Sequence, residues 1–239
     1  EPLTWDNIRR FLPSLPACIL DAGGGTGRWT LLLARQGYEV TLTDISQGML
    51  DVAREKLQAA GLMERVTILE QDIRAMGDLD DEGFDLVLAE GDPLSYCEDP
   101  MAAMGELARV ARLGAHVIAS VDSRIACLYH LNQLDFEAAA GLLRSGRLAW
   151  RGGADDFAFP IHAFTVAELT GLFEAHGLRV VRVLGKPVFF RRLSADTQAQ
   201  ILADDELTQR MVELECHYAD DPAWAGSGGH IEVTGIKVW

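Results

Sequence analysis

A doubly wound α/β fold, a largely parallel sheet with helices on both faces, is what this 239-residue sequence predicts. Three observations carry the prediction. Short apolar runs alternate with helical patterns between residues 17 and 121, as successive βαβ units do. A glycine-rich turn, "GGGTG", joins the first run to the first helix. Helix-start and helix-stop residues punctuate the intervals. A hydrophobic content of 49% supplies a substantial core, and 24% charged residues is ordinary for a globular chain.

The expected strands of the first half are "ACILD" (17–21), "YEVTLTD" (38–44), "RVTILE" (65–70), "FDLVLAE" (84–90) and "AHVIASV" (115–121). The first intervening helix, "TGRWTLLLARQ", is closed by Gly37; the second, "SQGMLDVAREKLQAA", opens on Ser46 as N-cap and closes at Gly61. A third opens at Asp99, with Pro100 in the first turn where a missing N–H does no harm. Ahead of the first strand, "TWDNIRRFL" reads as a helix that packs on the sheet.

After residue 122 the pattern changes. "SRIACLYHLNQLDFEAAAGLLRSGRLAW" reads as two short helices and "RGGADDFAFPIHA" as a lid or hairpin, so residues 123–160 are expected to form a small cap inserted into a single domain spanning 1–239. Thr165 and Glu168 then form a capping box opening "VAELTGLFEAH", followed by a strand (178–185), a long helical region (194–219) and a terminal strand (230–239). The last two strands follow each other without a glycine turn and are expected to pair antiparallel at the sheet edge.

Composition weighs against several functions. No run of about 18 apolar residues exists, and "EPLTWDNIRRFL" lacks the basic head and apolar core of a signal peptide; the expectation is a soluble, cytoplasmic chain with no membrane partner. Cys18, Cys97, Cys127 and Cys216 form no CxxC pair, and no carboxylate–histidine group has metal-ligand spacing, so no metal is expected. The net charge of −15 opposes nucleic acid, which needs phosphate contacts.

The glycine loop carries the chemistry. In such a sheet the first strand-to-helix turn lies at the switch point where ligands bind. A dinucleotide site wants G-x-G-x-x-G; from Gly23 the chain has Gly25, then Arg28 where the third glycine belongs. The spacing is instead D-x-G-x-G-x-G, on Asp21, Gly23, Gly25 and Gly27. An acidic residue there repels a pyrophosphate and attracts the ammonium of an amino acid tail, which S-adenosylmethionine (SAM) carries. Asp44, ending the second strand, suits ribose hydroxyls. Asp72 suits the adenine amine, with Ile73 and Met49 on either side of the ring.

The series "ILDAGGGTG", "TLTDISQGML", "EQDI", "FDLVLAEGDPLSY", "ELARVARLGAHVIAS" and "FTVAELTGLFEAHGLRVV" resembles the class I SAM-dependent methyltransferases over nearly the whole chain. The resemblance implies a Rossmann-like seven-stranded sheet with its last strand inserted antiparallel. It implies that Asp21, Gly23, Gly25 and Gly27 surround the methionine part, that Asp44 with Ile45 and Met49 takes the ribose and adenine side, and that Asp72 and Ile73 take the adenine. Glu90, Gly91 and Leu94 would flank the sulfonium and the acceptor. The product would be S-adenosylhomocysteine.

Methyl transfer from a sulfonium is an in-line displacement, and a base is needed only for an acceptor that arrives protonated. His130 and His162, in the segment expected to cover the strand ends, and Tyr96 are the candidates, with Asp92 comparable. His116 and His230 read as strand residues, His176 as a helix-end cation and His217 as a helix residue. Trp150, Phe157, Phe159 and Phe164 suggest an apolar acceptor pocket. The expected function is methyl transfer to a small-molecule acceptor. Two alternatives stand: "ACLYHLNQLDFEAA" and "MVELECHYADDPAWAGSGGHIEVTGIK" resemble segments of bacterial tRNA carboxymethoxyuridine methyltransferases, and a non-catalytic SAM-binding protein would keep the same cofactor residues.

Overall fold

Apolar residues on alternate positions of the strands fill both faces of one sheet. A computed structural model describes residues 1–131, 135–152 and 157–239, and of 150–152 and 157 the backbone alone. In chain order the elements are α1 (Pro2–Arg10), β1 (Cys18–Ala22), α2 (Arg28–Arg35), β2 (Glu39–Asp44), α3 (Gln47–Ala59), β3 (Val66–Glu70) and β4 (Phe84–Ala89). Then follow α4 (Pro93–Tyr96), α5 (Pro100–Val110), β5 (Ala111–Asp122), α6 (Arg124–His130), α7 (Phe136–Ser145), β6 (Arg147–Gly152) and β7 (Phe157–His162). The chain ends with α8 (Val166–Ala175), β8 (Leu178–Lys186), α9 (Ala195–Leu202), α10 (Asp205–Tyr218), α11 (Pro222–Ala225) and β9 (His230–Lys237).

Seven strands form one sheet in the order β3-β2-β1-β4-β5-β9-β8. β1 to β5 run parallel, whereas β9 is antiparallel to both β5 and β8. The chain winds outward from β1 in one direction and from β4 in the other, so the switch point lies between these two strands. Along β4, Leu86 and Leu88 face one side with Ile19, Leu42, Leu33 of α2 and Leu57 of α3. Val87 and Ala89 face the other with Leu107 of α5 and Phe173 of α8. Burying each such side chain contributes about 1.5–3 kcal/mol, and covering both faces is what a parallel sheet requires.

Local signals act as the sequence suggested. Ser46 accepts from Met49 N, Asp99 from Ala102 N, and the Thr165–Glu168 capping box forms in both directions. The helical region expected over 194–219 divides in two, because Asp204 accepts from the backbone of Glu206 and Leu207 and so starts a new helix at Asp205. The fifth strand starts at Ala111, straight after α5, and is longer than expected.

The segment after β5 forms α6, α7 and the antiparallel β6–β7 hairpin, around a small cluster of Cys127, Leu142, Ile161 and Ala163. Buried Arg124 ties it to α8, with Nη2 2.7 Å from Glu168 Oε1 and Nε donating to Ala163 O. The "RGGADD" excursion lies partly outside the described residues, as do the side chains of Trp150 and Phe157. Among the described residues no helix is long and apolar enough to cross a membrane.

Candidate functional site

The glycines of the first turn divide by what surrounds them. A Cβ on Gly23 would stand 2.8 Å from Pro93 Cβ, and one on Gly27 3.1 Å from Ala53 Cβ, so these two let the β4 loop and α3 approach. Gly25, at φ +56°, would meet nothing nearer than Asp44 Oδ2 at 3.9 Å; its open side is a cradle that a side chain would fill. Asp44 borders it, accepting from Gly25 N at 2.9 Å and from Ser46 N at 2.8 Å. Each oxygen keeps a second lone pair for a ligand hydroxyl. Ile45 and Met49, both exposed, flank this carboxylate.

Asp21 lies beneath the loop instead of in the crevice. It is fully buried, Oδ2 accepts from Thr30 N (3.1 Å) and Oγ1 (2.6 Å), and Oδ1 has no partner. Burial raises its pKa to about 6 against the Thr30 hydrogen bonds. The Gly24 backbone lies directly over this carboxyl, since a Cβ there would stand 2.6 Å from Asp21 Cγ. Asp72 is engaged by Arg74, whose Nη2 is 2.6 Å away, and those hydrogen bonds hold its carboxyl below the usual range. Ile73 packs into the core on the α5 side, and Leu94 is fully buried there too.

Beyond β4 the chain turns through Gly91 (φ +87°) and Asp92 (φ +67°), whose amides both point at Ser120 Oγ on β5. Glu90 is buried and accepts from Lys186 Nζ at 2.6 Å, while its Oε1 has no partner. Lys186, at the end of β8, also donates to Glu232 of β9 and to Thr4 Oγ1 of α1. Asn7 of α1 donates to Glu232 Oε1 at 2.5 Å and Thr234 Oγ1 at 3.0 Å, so one polar network pins α1 over the sheet. Burial, then the facing Glu232, pushes the Glu90 carboxyl well up. Burial opposes the Lys186 charge, but the two carboxylates prevail and raise it.

A cavity of about 480 Å³ opens over this network. Apolar groups of Leu3, Trp29, Phe190, Ile201, Met211 and Val212 line its walls, and Glu90, Asp92, Ser120, Lys186 and His230 its floor. His230 Nδ1 lies 2.8 Å from Asp92 Oδ2, in ion-pair contact but off the line of an N–H···O hydrogen bond, and 3.7 Å from Asp122 Oδ1. Thus a carboxylate–histidine cluster does exist, with one ligand atom of each of Asp92, Asp122 and His230 within 4.8 Å of the others. Residues this far apart in sequence leave no spacing signal. Burial lowers the imidazolium pKa, yet Asp92 and then Asp122 raise it overall. Asp122 itself is pushed to about 6 by burial and by Asp92.

The three catalytic candidates do not line this cavity. Tyr96 packs edge-on against Phe159, at 5.9 Å between ring centroids, and its hydroxyl is bonded to Asp122; burial raises its pKa. His162 stacks on Phe164 at 4.2 Å, its Nδ1 buried, and burial and Arg147 lower its pKa. His130 Nε2 is 3.5 Å from Arg191 Nη2. Trp5 stacks on Trp29 at 6.3 Å, as expected of a helix packed on the sheet.

His230, Lys186 and Glu232 are the residues that sequence reasoning passed over. The available signal was topological. In an antiparallel last strand the first residue shares an edge with the last residues of the parallel strands, and the register pairs His230 with both Asp122 and Lys186.

Comparison with known proteins places this geometry. A methyltransferase-domain family model matches residues 19–114. The ubiquinone biosynthesis O-methyltransferase of Alkalilimnicola ehrlichii is 33% identical over 152 residues, 63% of this chain and 60% of that protein, so the chain spans about three-fifths of this relative. The tRNA 5-carboxymethoxyuridine methyltransferase of Escherichia coli is 22% identical over 99% of this chain and 87% of its own length. A SAM-dependent methyltransferase structure from Methanosarcina mazei superposes with a TM-score of 0.68 at 19% identity, covering 97% of each chain. Residues 19–114 thus match a methyltransferase-domain family, and the strand order with the glycine loop at its switch point is the fold of the SAM-dependent methyltransferases to which the chain is similar.

Proposed function

We propose that this chain transfers the methyl group of SAM to a small, largely apolar acceptor seated in the 480 Å³ cavity. The open cradle above Gly25, bordered by the Asp44 carboxylate at the switch point, is the observation that carries the reading. The residues present fit the cofactor. Asp44 accepts from the ribose hydroxyls, Ile45 and Met49 cover the adenine side near Asp72, Gly23, Gly25 and Gly27 shape the loop around the methionine part, and buried Asp21, with an unpartnered oxygen, supplies negative potential for its ammonium, while the unpartnered Oε1 of Glu90 is an acceptor beside it. When bound, SAM supplies an electrophilic methyl on a positively charged sulfur. The protein's part is to align the acceptor behind that methyl and keep water out; the apolar walls do the second. The cavity size is ordinary for a small-molecule site.

Asp44→Ala tests the cofactor assignment. A charge-assisted bidentate contact contributes about 1.5–3 kcal/mol, so SAM affinity by calorimetry falls tenfold or more. Unchanged affinity removes Asp44 from the site. An assay for S-adenosylhomocysteine formed with a panel of acceptors then tests turnover.

A tRNA acceptor is the second reading, favoured by the Escherichia coli relative's match along 99% of the chain. The −15 charge opposes it. Salt-sensitive tRNA binding supports this reading, and no binding at low salt rejects it.

A further inference from the structure

Resting on the cofactor reading above, we propose that His230 is the catalytic base of this site, taking the proton of a phenolic hydroxyl on the acceptor, with Asp92 beneath it as the positioning residue.

The geometry carries the assignment. Asp92 is buried at 6% exposure and has an oxygen 2.8 Å from Nδ1, while the His230 side chain is 41% exposed at the cavity floor. Nδ1 is itself buried, so the exposure belongs to the rest of the ring. A carboxylate behind Nδ1 favours the tautomer with its proton there, which leaves Nε2 with a free lone pair and stabilises the imidazolium once a second proton arrives. The 2.8 Å approach is that of an ion pair; ligand atoms on a tetrahedral metal with 2.0 Å bonds stand about 3.3 Å apart.

The other charged groups around the ring have partners of their own. Lys186 across the strand pair is held by Glu90 and Glu232. Asp122 on β5 is bonded to Tyr96. Arg191, near Gly229, contacts His130. Among the described residues the cation of the floor, Lys186, is held by two carboxylates, Arg28 at the rim pairs with Glu1, and the walls are mostly apolar, so a neutral hydroxyl on an apolar body fits. A phenol, at a pKa of about 10, is within reach of an imidazole that Asp92 holds above its ordinary value, whereas an alkyl alcohol is not. In the step, the O–H proton passes to His230 Nε2 as an oxygen lone pair forms the O–C bond. The electron pair of the S–C bond stays on sulfur, which ends neutral, and His230 ends as imidazolium against Asp92.

The test uses the wild-type chain, His230→Gln and Asp92→Asn. SAM binding is measured first by calorimetry; wild type failing to bind overturns the cofactor reading itself, while binding by all three isolates the present proposal. With catechol and 4-methylphenol at pH 8, His230→Gln is expected to lose 10²- to 10⁴-fold in kcat. With 4-nitrophenol, largely ionised at that pH, it is expected to lose little. NMR titration of the His230 ring without cofactor gives a pKa above the ordinary imidazole value that falls in Asp92→Asn, and the acidic limb of kcat/KM moves with it. Equal loss on ionised and un-ionised phenols, loss of activity to a chelator, a His230 pKa indifferent to Asp92→Asn, or no methylation of any phenol by wild type that binds SAM each overturns the proposal.

Discussion

Asp21 keeps a carboxyl where burial opposes its charge, and removing that charge has a calculable effect. Its rise from 3.8 to about 6 corresponds to roughly 3 kcal/mol in favour of the neutral acid. The sign follows from proton counts. Between pH 4 and 6 the folded chain holds a proton at Asp21 that the unfolded chain has released, so stability falls as pH rises through that window and stays low above it. Asp21→Asn escapes this loss. The amide can still accept from Thr30, but its NH2 takes the unpartnered place beneath Gly24, at about 1–3 kcal/mol. The expected net effect at pH 8 is a gain of about 0–2 kcal/mol, or up to roughly 8 °C in Tm for a chain of this size, and at pH 4 it gives way to a deficit.

Calorimetric melts of both proteins at the two pH values measure this. A variant less stable than wild type at pH 8, with a deficit that grows as pH rises, would refute the reasoning, because the carboxylate would then be held by favourable contacts. The same charge serves binding in the proposed function. Wild-type SAM affinity should rise with pH through about 6, and Asp21→Asn should bind more weakly above that pH, a residue kept for function against stability.

Further outcomes follow from the same contacts. Gly25→Ala meets no protein atom within 3.9 Å, so it should fold at a cost of about 1–2 kcal/mol for its positive φ yet lose SAM affinity at least tenfold by calorimetry. Lys186→Met leaves Glu90 and Glu232 facing each other and should cost about 3–5 kcal/mol in denaturant unfolding at pH 8. The cost should be less at pH 5, where Glu90, already pushed up, takes a proton. Thr165→Ala removes the α8 capping box and should cost about 1 kcal/mol with no change in SAM affinity.

What the sequence made legible is what lies contiguous in it. "DAGGGTG" announces a strand, a backbone turning through positive φ and a helix start within seven residues, and Ser46, Asp99 and Thr165 cap helices through bonds to residues three positions on. The same local reading mistook burial for exposure. Asp21, Ile73 and Leu94 occupy motif positions, but whether a side chain faces the crevice or the core depends on strand pleat and on what packs above, and spacing does not record that. Asp204 divides the expected long helix because one capping carboxylate outweighs a continuous helical pattern.

The cavity floor was illegible for a different reason. Asp92, Asp122 and His230 belong to a loop and two strands that meet only because β9 enters between β5 and β8 against their direction. That reversal puts the start of the last strand beside the ends of the others, so a histidine that looks like an ordinary strand residue stands at the carboxyl edge of the sheet. Lys186 reaches the same edge from β8 and binds the carboxylates of Glu90 and Glu232 while holding Thr4 of α1. The lysine that neutralises the floor thereby fixes the helix that closes the cavity, so losing it should open the acceptor site and raise KM for any acceptor while the Gly25 and Asp44 contacts to SAM persist. A Lys186→Met variant with wild-type KM for its acceptor would break that link between the buried network and the pocket above it.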